Sequence, residues 1–157
     1  AGARRDFLFP RAAVEIKTTQ QSTGRNVTIH SLAQLATDDT DSLFVMFYRI
    51  EENPGKGKSV SELVQIIKSK LDSVDDFNEK LDLIGYSADC ADSWDLFKWT
   101  VQEVQSYEVS DGFPRVITAS FLDGPPPGVS QITYQLDLDQ AKEHRVSTEY
   151  LSERLSS

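Results

Sequence analysis

The run Leu43-Phe-Val-Met-Phe-Tyr-Arg-Ile50 is of strand length, and its apolar side chains fall on both faces of an extended backbone. Such a run suits a strand covered on both faces, and with the helices and strands predicted around it the expectation is a mixed α/β fold. The surrounding pattern supplies the layers. Ser59 with Glu62 three residues later makes a capping box for a helix to about Leu71, with an apolar stripe of Val60, Leu63, Val64, Ile67 and Leu71. A second helix is predicted near Val74 to Ile84, stopping at Gly85. Trp94 to Val109, Arg115 to Leu122 and Gln131 to Leu138 read as strands separated by glycine and proline turns, and Gln140 to Ser157 reads as helical, interrupted near Val146-Ser147-Thr148. Upstream, Asp6 to Phe9 and Ala12 to Thr19 form a hairpin, and a third strand runs from Asn26 to His30. Ser31 then caps a short helix, Leu32 to Leu35. No repeat and no long linker interrupts the 157 residues, so the expectation is one domain.

The single cysteine, Cys90, excludes an internal disulfide, and no apolar stretch is long enough to span a membrane, so the reducing cytosol is the expected compartment. The net charge of -9 argues against indiscriminate nucleic-acid binding. Its distribution is uneven: residues 1–37 hold Arg4, Arg5, Arg11, Lys17 and Arg25 against only Asp6 and Glu15.

The first hairpin brings that basic surplus to a pair of acids. If Phe9 opposes Ala12 across Pro10-Arg11, Asp6 opposes Glu15, with β-carbons roughly 4.5–5.5 Å apart. Two like charges there destabilise a sheet unless something neutralises them, and a divalent cation would do that. Strand period two puts Lys17 on the face of Glu15 and sends Val14 and Ile16 to the other. Pro10 cannot take the positive φ of the tightest hairpin turns, so a longer loop is expected. Hard oxygen donors of this kind suit Mg²⁺ or Mn²⁺, and a nearby lysine suits the activation of water beside a phosphodiester.

Asp6-Phe-Leu-Phe-Pro-Arg-Ala-Ala-Val-Glu15-Ile-Lys17 resembles the Asp…Glu-x-Lys motif of the PD-(D/E)XK nuclease superfamily. Val14-Glu-Ile-Lys-Thr-Thr19, Ile29-His-Ser-Leu-Ala-Gln-Leu35 and Gly112-Phe-Pro-Arg115 extend the resemblance to a poorly characterised family of prokaryotic restriction and phage-defence settings. The resemblance implies a restriction-endonuclease-like core, a central mixed sheet flanked by helices, with additional C-terminal strands. It implies Asp6 and Glu15 as metal ligands, the carbonyl of Ile16 as a further ligand and Lys17 as the catalytic lysine, with Gln34 supporting the site or touching phosphate. Members usually carry another acid on a helix before the Asp strand. This sequence starts at Ala1, after that position, and helices upstream of Ala1 or donated by another subunit are expected to cover the hydrophobic face of the hairpin.

The expected function is Mg²⁺-dependent cleavage of DNA, with other subunits of a restriction or defence system as partners. Arg4, Arg5, Arg11 and Arg25 are expected to meet the phosphates. A noncatalytic nuclease-fold binding or scaffolding module is the alternative, and the net charge favours it; a general interaction domain without metal is the third reading. Glu-x-Lys alone is common by chance, and its hairpin context carries the weight. Other motifs are weaker. Gly57-Lys58-Ser59 would put Glu52 where a phosphate loop needs its first glycine, His30 and His144 lack partners at metal spacing, and Trp94, Phe97 and Trp99 suit a core better than base stacking.

Overall fold

The computed structural model describes residues 5–156. They form two compact units, one from the residues up to Arg49 and from Glu103 onward, the other from Ile50–Gln102. No linker marks the borders, because strands run through them: β4 (Ser42–Glu52) carries the chain into the second unit and β5 (Trp99–Glu108) carries it back.

The expected mixed α/β architecture is what the chain adopts. Its five-stranded sheet has the order β1-β2-β4-β5-β7, where β1 is Phe7–Leu8, β2 is Ala12–Thr19 and β7 is Arg145–Val146. β1 pairs antiparallel with β2, and β7 antiparallel with β5. β2 and β4 are parallel, from Ala12 opposite Ser42 to Thr19 opposite Arg49. A parallel pair needs a crossover. Here it consists of β3 (Asn26–Ile29) and the turn at 32–35, which brings Gln34 back beside β2. β3 pairs antiparallel with β6 (Tyr134–Asp137) as a separate two-stranded ribbon.

Both faces of β2 and β4 are covered, as the apolar run of β4 demands. Ala12, Val14 and Phe44 pack with Leu151 of helix α4 (Thr148–Leu155), whose start is capped by Ser147 Oγ accepting the Tyr150 amide at 3.2 Å. On the opposite face Ala13, Leu43, Val45 and Phe47 pack with Val27, Ile29 and Leu136 of the ribbon, and with Leu35, Tyr107 and Phe113. Each of the large apolar side chains so buried stabilises the fold by about 1.5–3 kcal/mol.

In the second unit, helix α1 (Val60–Lys68) starts at the expected reciprocal box: Glu62 N–H donates to Ser59 Oγ at 3.2 Å, and Ser59 N–H donates to Glu62 Oε2 at 2.7 Å. Helix α2 (Asp75–Leu83) ends before Gly85, which takes a φ of +76°. Val64, Leu81 and Tyr86 form this unit's core, with Trp94 of helix α3 (Ala91–Trp94) against Tyr86. The glycine of Gly57-Lys58-Ser59 serves a close backbone approach: a Cβ there would lie 2.6 Å from Asn53 O, Lys98 C and Trp99 N, while Lys58 and Trp99 exchange two backbone hydrogen bonds of 2.9 Å.

Besides the turn at 32–35, where a short helix was expected, three expected elements differ. Residues 91–94 are helical, so the strand predicted from Trp94 begins at Trp99. Arg115 to Leu122 forms no strand but an extended segment with a 3-10 turn at Thr118–Ser120; the backbone of Val116 bonds the Tyr134 hydroxyl, as donor at 3.1 Å and acceptor at 3.3 Å, instead of a strand neighbour. The C-terminal stretch is a 3-10 segment, Leu138–His144, then β7 and α4. Among the described residues no helix is long and apolar enough to cross a membrane.

Candidate functional site

The first hairpin has the expected register: Phe7 lies opposite Val14 and Leu8 opposite Ala13. The loop is shorter than expected. Phe9 N–H donates to Ala12 O at 2.8 Å across Pro10-Arg11, and among the described residues only glycines take positive φ, so the connection closes without the turn that Pro10 forbids. Asp6 precedes β1 by one residue, and its Oδ2 accepts the Ile16 amide at 2.7 Å.

Glu15 and Lys17 continue the face of Ala13, beside Val45 and Phe47 of β4, and both are buried. Lys17 Nζ lies 2.9 Å from Glu15 Oε1, with the side chains only 9% and 3% exposed. The face-to-face repulsion of two carboxylates is therefore relieved within the protein: Glu15 has the ammonium, and Asp6 has a backbone N–H. Burial pushes the Glu15 carboxyl above its ordinary range. The hydrogen bond and charge of Lys17 pull it down, the charge of Asp6 adds to the rise, and that of Arg5 opposes it.

Gln34 joins this pair from a turn, not from the short helix expected at Leu32 to Leu35. Its Nε2 donates to Glu15 Oε1 at 2.8 Å, and its Oε1 accepts the His30 amide at 2.7 Å and lies 3.4 Å from Lys17 Nζ. A backbone N–H can only donate, so the His30 bond fixes which end of the amide faces Glu15. The carboxylate is presented with one oxygen engaged twice; Oε2 enters none of these bonds.

The arginines are placed differently from one another. Arg5 is buried at 3% exposure, and its guanidinium donates to Ala33 O at 2.6 Å and to Ala36 O, with Asp39 Oδ1 3.6 Å away. It is spent on the protein interior and does not present a charge to a phosphate. Arg25 is only 22% exposed and bonds Glu103 through Nε at 2.9 Å and Asp139 at 2.6 Å. Arg11 is exposed and pairs with Asp41 at 2.7 Å. Arg4 lies outside the described residues. Sequence reasoning gave no site role to Arg115, whose Nη1 donates to Leu35 O at 2.7 Å; its only signal was the Gly112-Phe-Pro-Arg115 motif.

Asp6, Glu15 and the Ile16 carbonyl are hard oxygen donors without sulfur or imidazole, a donor chemistry that fits Mg²⁺ or Mn²⁺ completed by water and phosphate. Among the described residues no group of three His, Cys, Asp or Glu side chains is placed to hold a metal, so two carboxylates are the side-chain limit.

A protein-family model described as "Putative PD-(D/E)XK family member, (DUF4420)" matches residues 1–139. The match ends before α4, although Leu151 of that helix packs on β2. No curated protein and no solved structure matches the chain.

Proposed function

The chain belongs to the PD-(D/E)XK family DUF4420, and from that premise we propose that it hydrolyses DNA phosphodiester bonds with Mg²⁺ or Mn²⁺. The observation that carries this reading is the buried Glu15–Lys17 pair, 2.9 Å apart, on the strand whose Ile16 amide holds Asp6. Beside the exposed Asp6, this buried pair offers an oxygen donor set and a fixed ammonium, two parts that metal-assisted hydrolysis can use.

Asp6, Glu15 and the Ile16 carbonyl would hold the cation. When bound it polarises the phosphodiester and lowers the pKa of an adjacent water. Gln34 keeps Glu15 oriented, and Glu15 Oε1 keeps the Lys17 ammonium beside the donor set. Lys17 donates hydrogen bonds to the attacking water and offsets the negative charge that develops at the phosphorus oxygens. Arg11, on the exposed hairpin loop, together with Arg4, would meet the DNA backbone. A prokaryotic restriction or defence system with further subunits is the setting the family resemblance suggests.

Nicking of supercoiled plasmid, with and without Mn²⁺, tests the reading in the wild type, Glu15→Gln and Lys17→Ala. Cleavage that requires Mn²⁺ and falls in both variants supports it. Mn²⁺ binding without any cleavage by the wild type would instead support the noncatalytic scaffold, and undiminished cleavage by Lys17→Ala would end the assigned mechanism.

A further inference from the structure

We propose that Arg5 and Arg115 are positioning residues, which hold the turn at 33–36 by its carbonyl oxygens so that Gln34 is presented to Glu15 and Lys17. Ala33 O and Ala36 O both accept from Arg5, and Leu35 O accepts from Arg115 Nη1 at 2.7 Å. The Leu35 side chain is fully buried between them in sequence, so the turn is anchored through its backbone on two sides and through its apolar side chain in the core. Gln34 is the one side chain of this turn that reaches the ion pair.

Within the turn Ala33 O also accepts the Ala36 amide at 3.3 Å, and guanidiniums from distant parts of the chain bond three of its carbonyls. The clamp accounts for the burial of Arg5, read from sequence as a phosphate contact. Its two terminal nitrogens span two carbonyls, a fork that a lysine cannot reproduce, whereas Arg115 uses one nitrogen on one carbonyl. Charge-assisted bonds of this kind fix the turn's position, and the His30 amide then fixes the rotation of the Gln34 amide. The contacts of Gln34 with Glu15 Oε1 and Lys17 Nζ thus depend on the two arginines, while the charge of Arg5 also acts directly on Glu15.

The catalytic part of this inference rests on the nuclease reading; the clamp itself does not. Hydrogen exchange of the Gln34 side-chain amide, followed by ¹⁵N NMR in the metal-free protein and identified by its loss in Gln34→Met, reads the clamp directly. In Arg115→Met that exchange should quicken about tenfold or more, while the Val45 backbone amide in β4 changes far less. Arg115→Lys, which keeps one donor for Leu35 O, should restore most of the protection, and Arg5→Lys should not. In plasmid nicking, Arg115→Met should lower kcat with KM unchanged, and the double variant with Gln34→Met should be no slower than Gln34→Met alone. Wild-type exchange at Gln34 in Arg115→Met, an equal rise at Val45, or additive losses of kcat would overturn the proposal. If Arg115→Met fails to fold, Arg115→Lys and Arg5→Lys decide it by the same exchange. A wild type that cleaves nothing would remove the nuclease reading and leave the exchange result to judge the clamp.

Discussion

Two clusters of paired charges lie in the same unit, and they treat their carboxylates in opposite ways. Glu15 is nearly sealed, with one ammonium for a partner, and burial outweighs that partner, so its carboxyl is pushed up. Glu103 is 22% exposed and sits between two guanidiniums, Arg25 and Arg49 Nε at 3.1 Å. Burial pushes Glu103 up as well, but the two arginines together outweigh it and its carboxyl is held down. The second cluster also bonds outward: Arg49 donates to Gln21 O and, at 2.7 Å, to Gly24 O, so it fastens the segment between β2 and β3. A carboxylate with more cation than burial is a fastener, whereas one with more burial than cation is held in a state that a further positive charge can improve.

The largest expected effect separates the clusters by rate. Lys17→Ala should reduce Mn²⁺-dependent nicking by about 10²–10⁴-fold, since it removes the donor to the water and to the transition state. It should also destabilise the fold by about 3 kcal/mol, because Glu15 stays buried without its cation. Glu103→Gln should leave kcat near the wild-type value and cost about 1 kcal/mol in urea denaturation. Similar kinetic losses in both variants would erase the distinction.

Metal binding comes next. The wild type should gain about 2.7 kcal/mol of stability at a Mn²⁺ concentration a hundred times Kd, and Asp6→Asn should gain little. Without metal, Asp6→Asn should sit within about 0.5 kcal/mol of the wild type, since an amide oxygen can still accept the Ile16 N–H. Thermal melts over a Mn²⁺ series read both arms, and equal stabilisation of the two proteins would remove Asp6 from the donor set.

The pH dependence should differ in sign. The folded-state pKa of Glu15 lies above the ordinary 4.5, so its favourable contribution is full below that value and is lost as pH rises through the raised pKa. The folded-state pKa of Glu103 lies below 4.5, so its contribution is present above that value and is lost as pH falls through the depressed one. Urea titrations of wild type, Glu15→Gln and Glu103→Gln between about pH 3 and 7 should show opposite trends in the two differences. Trends of one sign would show that burial does not dominate at Glu15.

The smallest effect concerns docking. Arg11→Gln should weaken DNA binding and reduce the slope of log affinity against log salt by about one, while Lys142→Gln should change neither. Equal losses would place the docking surface elsewhere.

What was legible in the sequence was local or periodic. The pairing of Phe7 with Val14, the faces of β2, the box at Ser59 and Glu62, and the stop at Gly85 all follow from residues a few positions apart. The Asp6, Glu15 and Lys17 grouping was legible for the same reason. The turn at 32–35 was not, because contacts that hold it come from Arg5 and from Arg115, 80 positions beyond Leu35. A lone arginine in a sequence reads as solvent-exposed, and only tertiary contact reveals that Arg5 is interior. Trp94 misled in the same way: it read as the start of a strand, while its contact with Tyr86 belongs to the core of the second unit.

The Arg49–Glu103 bond has a consequence for the chain's connectivity as well as for its charge. These two residues are the borders at which the path departs from the site-bearing unit and rejoins it, and they are 3.1 Å apart. To that unit, everything from Ile50 to Gln102 is a single closed loop whose ends are already clasped. The entropy of closing a loop grows only logarithmically, so halving the insert would change stability by about 0.6 kcal/mol. By loop closure alone, then, the length of the insert has little effect on the unit that carries β2 and its charged pair.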